Sequence, residues 1–111
     1  MKSRETVLQC FVTYPSRKTA DKAMKSLLDR RLIACGQLFG PITSRYRWKG
    51  RIESSREWLV LAKTTERNWS AFEESVRSGH PYDVPEIVAV RVAKGLPDYL
   101  DWVTGNTRSE R

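Results

Sequence analysis

An α+β fold class follows from three observations on the sequence. A β-branched and aromatic run opens it, two stretches carry apolar residues at helical spacing, and a two-residue alternation precedes a continuous apolar run. Thr6 to Thr13 predicts the first strand, ended by Tyr14-Pro15. Ser16 suits a helix N-cap, and Ala20, Ala23, Met24, Leu27 and Leu28 then recur at i, i+3, i+4, i+7 and i+8. Leu32-Ile33-Ala34-Cys35 begins a second extended segment, interrupted near Gly36 and at Gly40-Pro41. From Thr43 the pattern alternates. Ser44, Tyr46, Trp48 and Ile52 are expected on one side, and Arg45, Arg47 and Arg51 on the other. Lys49-Gly50 reads as the hairpin reversal. The returning strand becomes Trp58-Leu59-Val60-Leu61-Ala62, apolar on both faces as an interior strand is.

Lys63-Thr64-Thr65 is read as opening a second helix, with Thr64 or Thr65 as cap and Trp69, Phe72 and Val76 inward. Gly79 and Pro81 stop it. His80-Pro81-Tyr82-Asp83-Val84-Pro85 is a stiff loop, since each proline restricts itself and its predecessor. Glu86 to Val92 predicts a strand, and Pro97 to Val103 a short helix with Leu100 and Val103 inward. The polar tail, 104–111, is expected to fray. The order β-α-β-β-α-β plus a terminal helix gives a ferredoxin-like sandwich: a four-stranded antiparallel sheet, two helices on one face, and a long β2-β3 hairpin. One sheet face is left uncovered, so that something must cover it or it must be polar.

The length of 111 residues fits one domain, 1–111 with its core over about 6–103, and a radius of gyration of roughly 13 Å. Hydrophobic residues at 40% exclude a disordered chain, and no apolar run approaches the roughly 20 residues that span a bilayer. Met1-Lys2-Ser3-Arg4-Glu5 carries no apolar leader stretch, which with two unclustered cysteines points to the cytoplasm. Cys10 and Cys35 are both expected to be buried, reduced thiols. The net charge of +7 would favour anionic partners. Its first cluster, Arg17 to Arg31, falls on the wet side of the first helix. Arg45, Arg47 and Arg51 could meet phosphates, but the stacking aromatics of RNA-recognition sheets are missing around Lys49-Gly50-Arg51-Ile52-Glu53. A solvated face, or pairing with Glu53 and Glu57, is the better reading, so nucleic acid is a poor candidate partner.

Catalytic motifs are weak. No phosphate loop is present, and the single histidine, His80, lacks any nucleophile motif around it. The chain is therefore not expected to be an enzyme. Lys63, Tyr82 and Glu86 could serve in proton transfer only if a substrate docks beside them. The hairpin is more informative. Tyr46, Trp48 and Ile52 form an apolar patch that either folds back on its own sheet or joins an interface, and the interface is the better reading. A metal site through His80 would need further ligands from Glu, Cys or neighbouring subunits, and a structural turn is the plainer role for His80-Pro81-Tyr82.

The sequence resembles the CutA proteins, the divalent-cation-tolerance family. The resemblance is carried by Ala34-Cys35, Thr43-Ser44-x-Tyr46-x-Trp48-Lys49-Gly50, Leu61-x-Lys63-Thr64-Thr65, His80-Pro81-Tyr82-Asp83-Val84-Pro85-Glu86 and Tyr99-Leu100-Asp101-Trp102, across about Val7 to Val103. It implies a cytoplasmic homotrimer with interlocking hairpins, a response to divalent metal ions, and binding of Cu(II) or another divalent cation as the one cofactor expectation. It also implies a polar cleft near the subunit boundary with Lys63, Tyr82 and Glu86, and with Trp48 and Glu57 nearby. Val12 stands where some members have Cys, Gly79 where some have a second His, and Gln37 where many have Asn. Only His80 remains of that ligand set. The alternative implied is a regulator like the PII signalling proteins, taking a small anionic ligand at the subunit clefts with Lys63.

Overall fold

A computed structural model describes residues 5–108. Residues 1–4, read above for a leader, and 109–111 of the polar tail lie outside the described residues. Four strands, β1 (Val7–Tyr14), β2 (Cys35–Trp48), β3 (Arg51–Thr65) and β4 (Ile87–Arg91), form one sheet in the order β2-β3-β1-β4. Every neighbouring pair is antiparallel. The helices are α1 (Arg17–Asp29), α2 (Trp69–Gly79) and α3 (Pro97–Gly105). This is the ferredoxin-like sandwich with its long hairpin and short C-terminal helix. Among the described residues no helix is long and apolar enough to cross a membrane.

The core lies between α1, α2 and one sheet face. Cys10, Val12 and Tyr14 of β1 and Val60 and Ala62 of β3 alternate into it, against Ala20, Leu27, Phe72 and Val76 of the helices. Ser16 caps α1 as expected, its hydroxyl accepting from the Thr19 N–H at 3.1 Å. The helix closes without glycine. Arg31 takes the left-handed conformation at φ 57°, and the Leu32 N–H reaches back to the Leu27 carbonyl. Leu32 and Ile33 are thereby driven into the core as a buried turn, not the start of β2 as their composition suggested.

The boundary after β3 also moved. Lys63-Thr64-Thr65 completes the strand, because Thr64 pairs with Leu8 and Thr65 with Val7. A short 3-10 turn, Glu66–Asn68, then leads into α2. The tail is docked rather than frayed through Arg108. Thr107 is buried, the Arg108 N–H donates to the Arg31 carbonyl, and the Asn68 amide donates to the Arg108 carbonyl. The α3 helix covers one end of the second sheet face: Val103 is fully buried and the Tyr99 hydroxyl lies 3.5 Å from Cys35 Sγ. Cys35 is therefore half-buried on that face, whereas Cys10 is sealed in the core with its thiol pushed up to about 12 by burial.

The rest of the second face stays open. Phe39, Val88 and Val90 are each at least half exposed there. Beyond it the hairpin projects, so that the chain measures 53 × 26 × 22 Å with a radius of gyration of 14.9 Å, above the roughly 13 Å of a compact domain of this length.

Candidate functional site

The hairpin turn sets the geometry of everything near it. Lys49 and Gly50 both take positive φ, and Trp48 pairs directly with Arg51. Facing residues therefore have opposite parity across the turn, which corrects the sides read from the alternation. Arg51 shares the face of Tyr46 and Trp48, whereas Ile52 lies opposite Arg47 and joins the face of Arg45. Tyr46 and Trp48 are close to half exposed and Ile52 is 64% exposed, so the aromatics do not fold back onto the sheet. Among the described residues no ion pair joins Arg45, Arg47 or Arg51 to Glu53 or Glu57, and the three arginines do not share one face.

At the hairpin base the strands are offset by a bulge. Phe39 pairs with Leu59 but Ile42 with Glu57, leaving Gly40-Pro41, joined by a cis peptide bond, opposite Trp58. The bulge leaves Glu57 on the open side of the sheet, beneath the loop 80–86. Glu57 is only 7% exposed. One carboxylate oxygen accepts from the Ser44 hydroxyl and the other from the Tyr82 hydroxyl, each at 2.7 Å. Burial, with the Glu57 hydrogen bond and charge behind it, pushes the Tyr82 phenol well above its ordinary value, so it stays a donor.

His80 anchors that loop. It precedes Pro81 and takes extended φ and ψ, as a pre-proline residue must. Its ring stacks on Tyr14 with centroids 4.5 Å apart. The Nε2–H donates to the Thr13 carbonyl at 2.7 Å, while Nδ1 accepts from the Tyr82 N–H at 3.1 Å. Both ring nitrogens are thus committed to the backbone, and the neutral tautomer is the one that satisfies them.

Burial holds the His80 imidazole below its usual 6.5, against opposing pulls from the Thr13 carbonyl and the Glu57 charge. The unfolded chain thus takes up that proton more readily than the folded one. Stability from this group is complete above about pH 6.5 and declines as the pH falls through the lower folded pKa. The melting temperature is expected to drop between pH 7.5 and 5.5, with a shallower slope in His80→Gln. Parallel slopes in melts across that range would contradict it.

A cavity of about 830 Å³ opens here, lined by Thr13, Tyr46, Trp48, Glu57, Tyr82 and Glu86 among others. Of the residues singled out from sequence, Glu57, Tyr82 and Glu86 come together, and Tyr46 and Trp48 form one wall. Within the single chain Lys63 does not join them. It pairs with Gln9 and Cys35, six residues along β3 from Glu57, or roughly 20 Å at strand rise. Sequence reasoning missed Ser44 as a partner of Glu57. The signal was present, since counting back from Lys49-Gly50 places both residues on one face two pairs apart.

The family model described as CutA1 divalent ion tolerance protein matches residues 8–106. A relative named divalent-cation tolerance protein CutA, from Thermus thermophilus, is 43% identical over 87% of this chain and 94% of its own length. Protein CutA of Mus musculus is also 43% identical over 94% of this chain, which spans only 59% of the mouse protein. The crystal structure of CutA1 from Oryza sativa superposes with a TM-score of 0.93 at 31% identity, covering 97% of this chain and all of that one.

Proposed function

We propose a function from one premise: this chain belongs to the CutA1 divalent ion tolerance protein family. On that reading the protein is a homotrimer that responds to divalent cations by binding and assembly, not by turnover. The hairpin carrying Tyr46, Trp48 and Ile52, and the open sheet face with Phe39, Val88 and Val90, are its assembly surfaces. Two features support this. The open face is too apolar to be left wet over so wide a patch, and the hairpin reaches beyond its own domain. Its two free cysteines suit a reducing compartment such as the cytoplasm.

The observation that carries the cation reading is Glu57. It is a buried carboxylate at a cavity wall, and among the described residues no cationic side chain pairs with it. Two hydroxyl donors satisfy its oxygens, and neither Arg45 nor Arg47 pairs with it although both also line the cavity. A cation entering the cavity would be attracted to it. Within one chain the donor set is short of the four or more that Cu(II) or Zn(II) takes, since among the described residues no three His, Cys, Asp or Glu gather. Water and neighbouring copies would supply the rest, giving weak, assembly-dependent binding. His80 has no free ring nitrogen for the ion. Its part is to hold Tyr82, and through it Glu57, in place. Glu57→Gln is expected to weaken Cu(II) binding at least tenfold in calorimetric titration while the oligomer persists. Equal isotherms for variant and wild type would remove Glu57 from the site.

A further inference from the structure

On the helix side of the sheet, away from the hairpin, α1 and α2 leave a groove of about 470 Å³. Its walls carry Lys18, Lys22 and Thr19 from α1 and Ser75 from α2, and Tyr14 of β1 reaches it from below. Lys18 and Lys22 lie one helical turn apart on the same face and, among the described residues, have no acidic partner. Lys25, by contrast, is paired with Asp21 at 3.3 Å. Arg30 closes one end of the groove region, its guanidinium donating to the Ser75 hydroxyl at 2.6 Å.

The floor supplies the second observation. Tyr14 is 2% exposed, yet among the described residues its hydroxyl has no hydrogen-bond partner. It is nevertheless not a sealed orphan, because no fully buried side-chain oxygen or nitrogen among the described residues is left unsatisfied. The groove is the cavity that Tyr14 lines, and we assign the hydroxyl's opening to it. Burial pushes this phenol up to about 12, so it remains a donor across the physiological range. A buried, unspent donor beneath two uncompensated ammonium groups is matched by a compact dianion with several acceptor oxygens.

We propose that the α1–α2 groove is a binding site for a phosphorylated small molecule, whose phosphoryl group is held by Lys18, Lys22 and the Tyr14 hydroxyl. The concave floor suits a free ligand better than a flat lipid surface. The volume exceeds what one phosphate fills and leaves room for an attached organic group. The groove faces away from the hairpin and from the open sheet face, so assembly through those surfaces leaves it accessible. It also accounts for a share of the basic surplus that the cavity at Glu57 does not use.

Pyrophosphate is the probe, titrated into the full chain in 0.15 M salt and followed by amide chemical shifts and calorimetry. Saturable binding is expected, with shifts confined to Tyr14, α1 and Ser75–Gly79. Lys18→Gln combined with Lys22→Gln should weaken it at least tenfold, and Tyr14→Phe severalfold with an unchanged melting temperature. Lys25→Gln, a neighbouring charge outside the groove, should weaken it less than twofold. Absence of saturable binding would overturn the proposal. So would equal weakening by Lys25→Gln, or full affinity in both the Tyr14 and the paired lysine variants.

Discussion

Replacing Trp48 and Tyr46 together by alanine is expected to dissociate the proposed homotrimer without unfolding the chain. Both side chains stand on one face of a projecting hairpin and are close to half exposed in the single chain. Covering the free part of a tryptophan removes about 100 Å² from water, worth about 2.5 kcal/mol per subunit at 25 cal/mol per Å². Tyr46 adds a comparable area. Side-chain ordering on binding offsets part of this gain, but a loss of even 3 kcal/mol raises a dissociation constant more than a hundredfold. The folded subunit loses little, since neither ring touches the core. Sedimentation at micromolar concentration should therefore show smaller species with an unchanged melting profile for the isolated subunit. An intact oligomer in the double variant would exclude this face of the hairpin from the interface.

Gly40→Ala is expected to be the most damaging single methyl group in the chain. Gly40 sits in the bulge at φ +156°, where a Cβ would lie 2.8 Å from Trp58 Cδ1 and 3.0 Å from the Glu57 carbonyl oxygen. The indole can shift, but the carbonyl belongs to the sheet backbone. Overpacking costs about 1–3 kcal/mol and a side chain in glycine-only backbone space a similar amount, for about 3 kcal/mol together. In a domain of this size that lowers the melting temperature by about 15 °C. Gly50→Ala is the internal comparison. It too has positive φ, but nothing lies within 4 Å of its added carbon, so only about 1 kcal/mol is expected. Similar small losses in both would mean that the bulge yields easily and does not fix Glu57.

Much of this was legible in the chain because local signals and tertiary demands agreed. Ser16, the stripe from Ala20 to Leu27, Lys49-Gly50 and Pro97 each announce their element by one mechanism, and each element formed where expected. The misreadings came where tertiary contacts overrode composition. Leu32 and Ile33 look like strand residues, but the left-handed Arg31 turns them inward. Thr64 and Thr65 look like helix caps, but pairing with β1 holds them in the sheet, and Thr64 spends its hydroxyl on the Leu32 carbonyl at 2.6 Å. For the site, the family resemblance is what suggests a cleft with Glu57, Tyr82 and Glu86, and all three line one cavity. Within one chain only the register of β3 separates Lys63 from them, whereas counting back from Lys49-Gly50 already places Ser44 on the face of Glu57. The side taken by Ile52 was legible in principle. A two-residue turn inverts parity, whereas simple alternation carries it through unchanged.

On the proposed function this chain is a homotrimer whose cavity at Glu57 takes a divalent cation. Native mass spectrometry of the tag-free protein, with and without modest excess Cu(II), tests both halves at once. A trimer that takes up at least one ion, and at most one per chain, with uptake reduced in Glu57→Gln, is the predicted result. A monomer at micromolar concentration, or a trimer that stays bare in Cu(II), would contradict it.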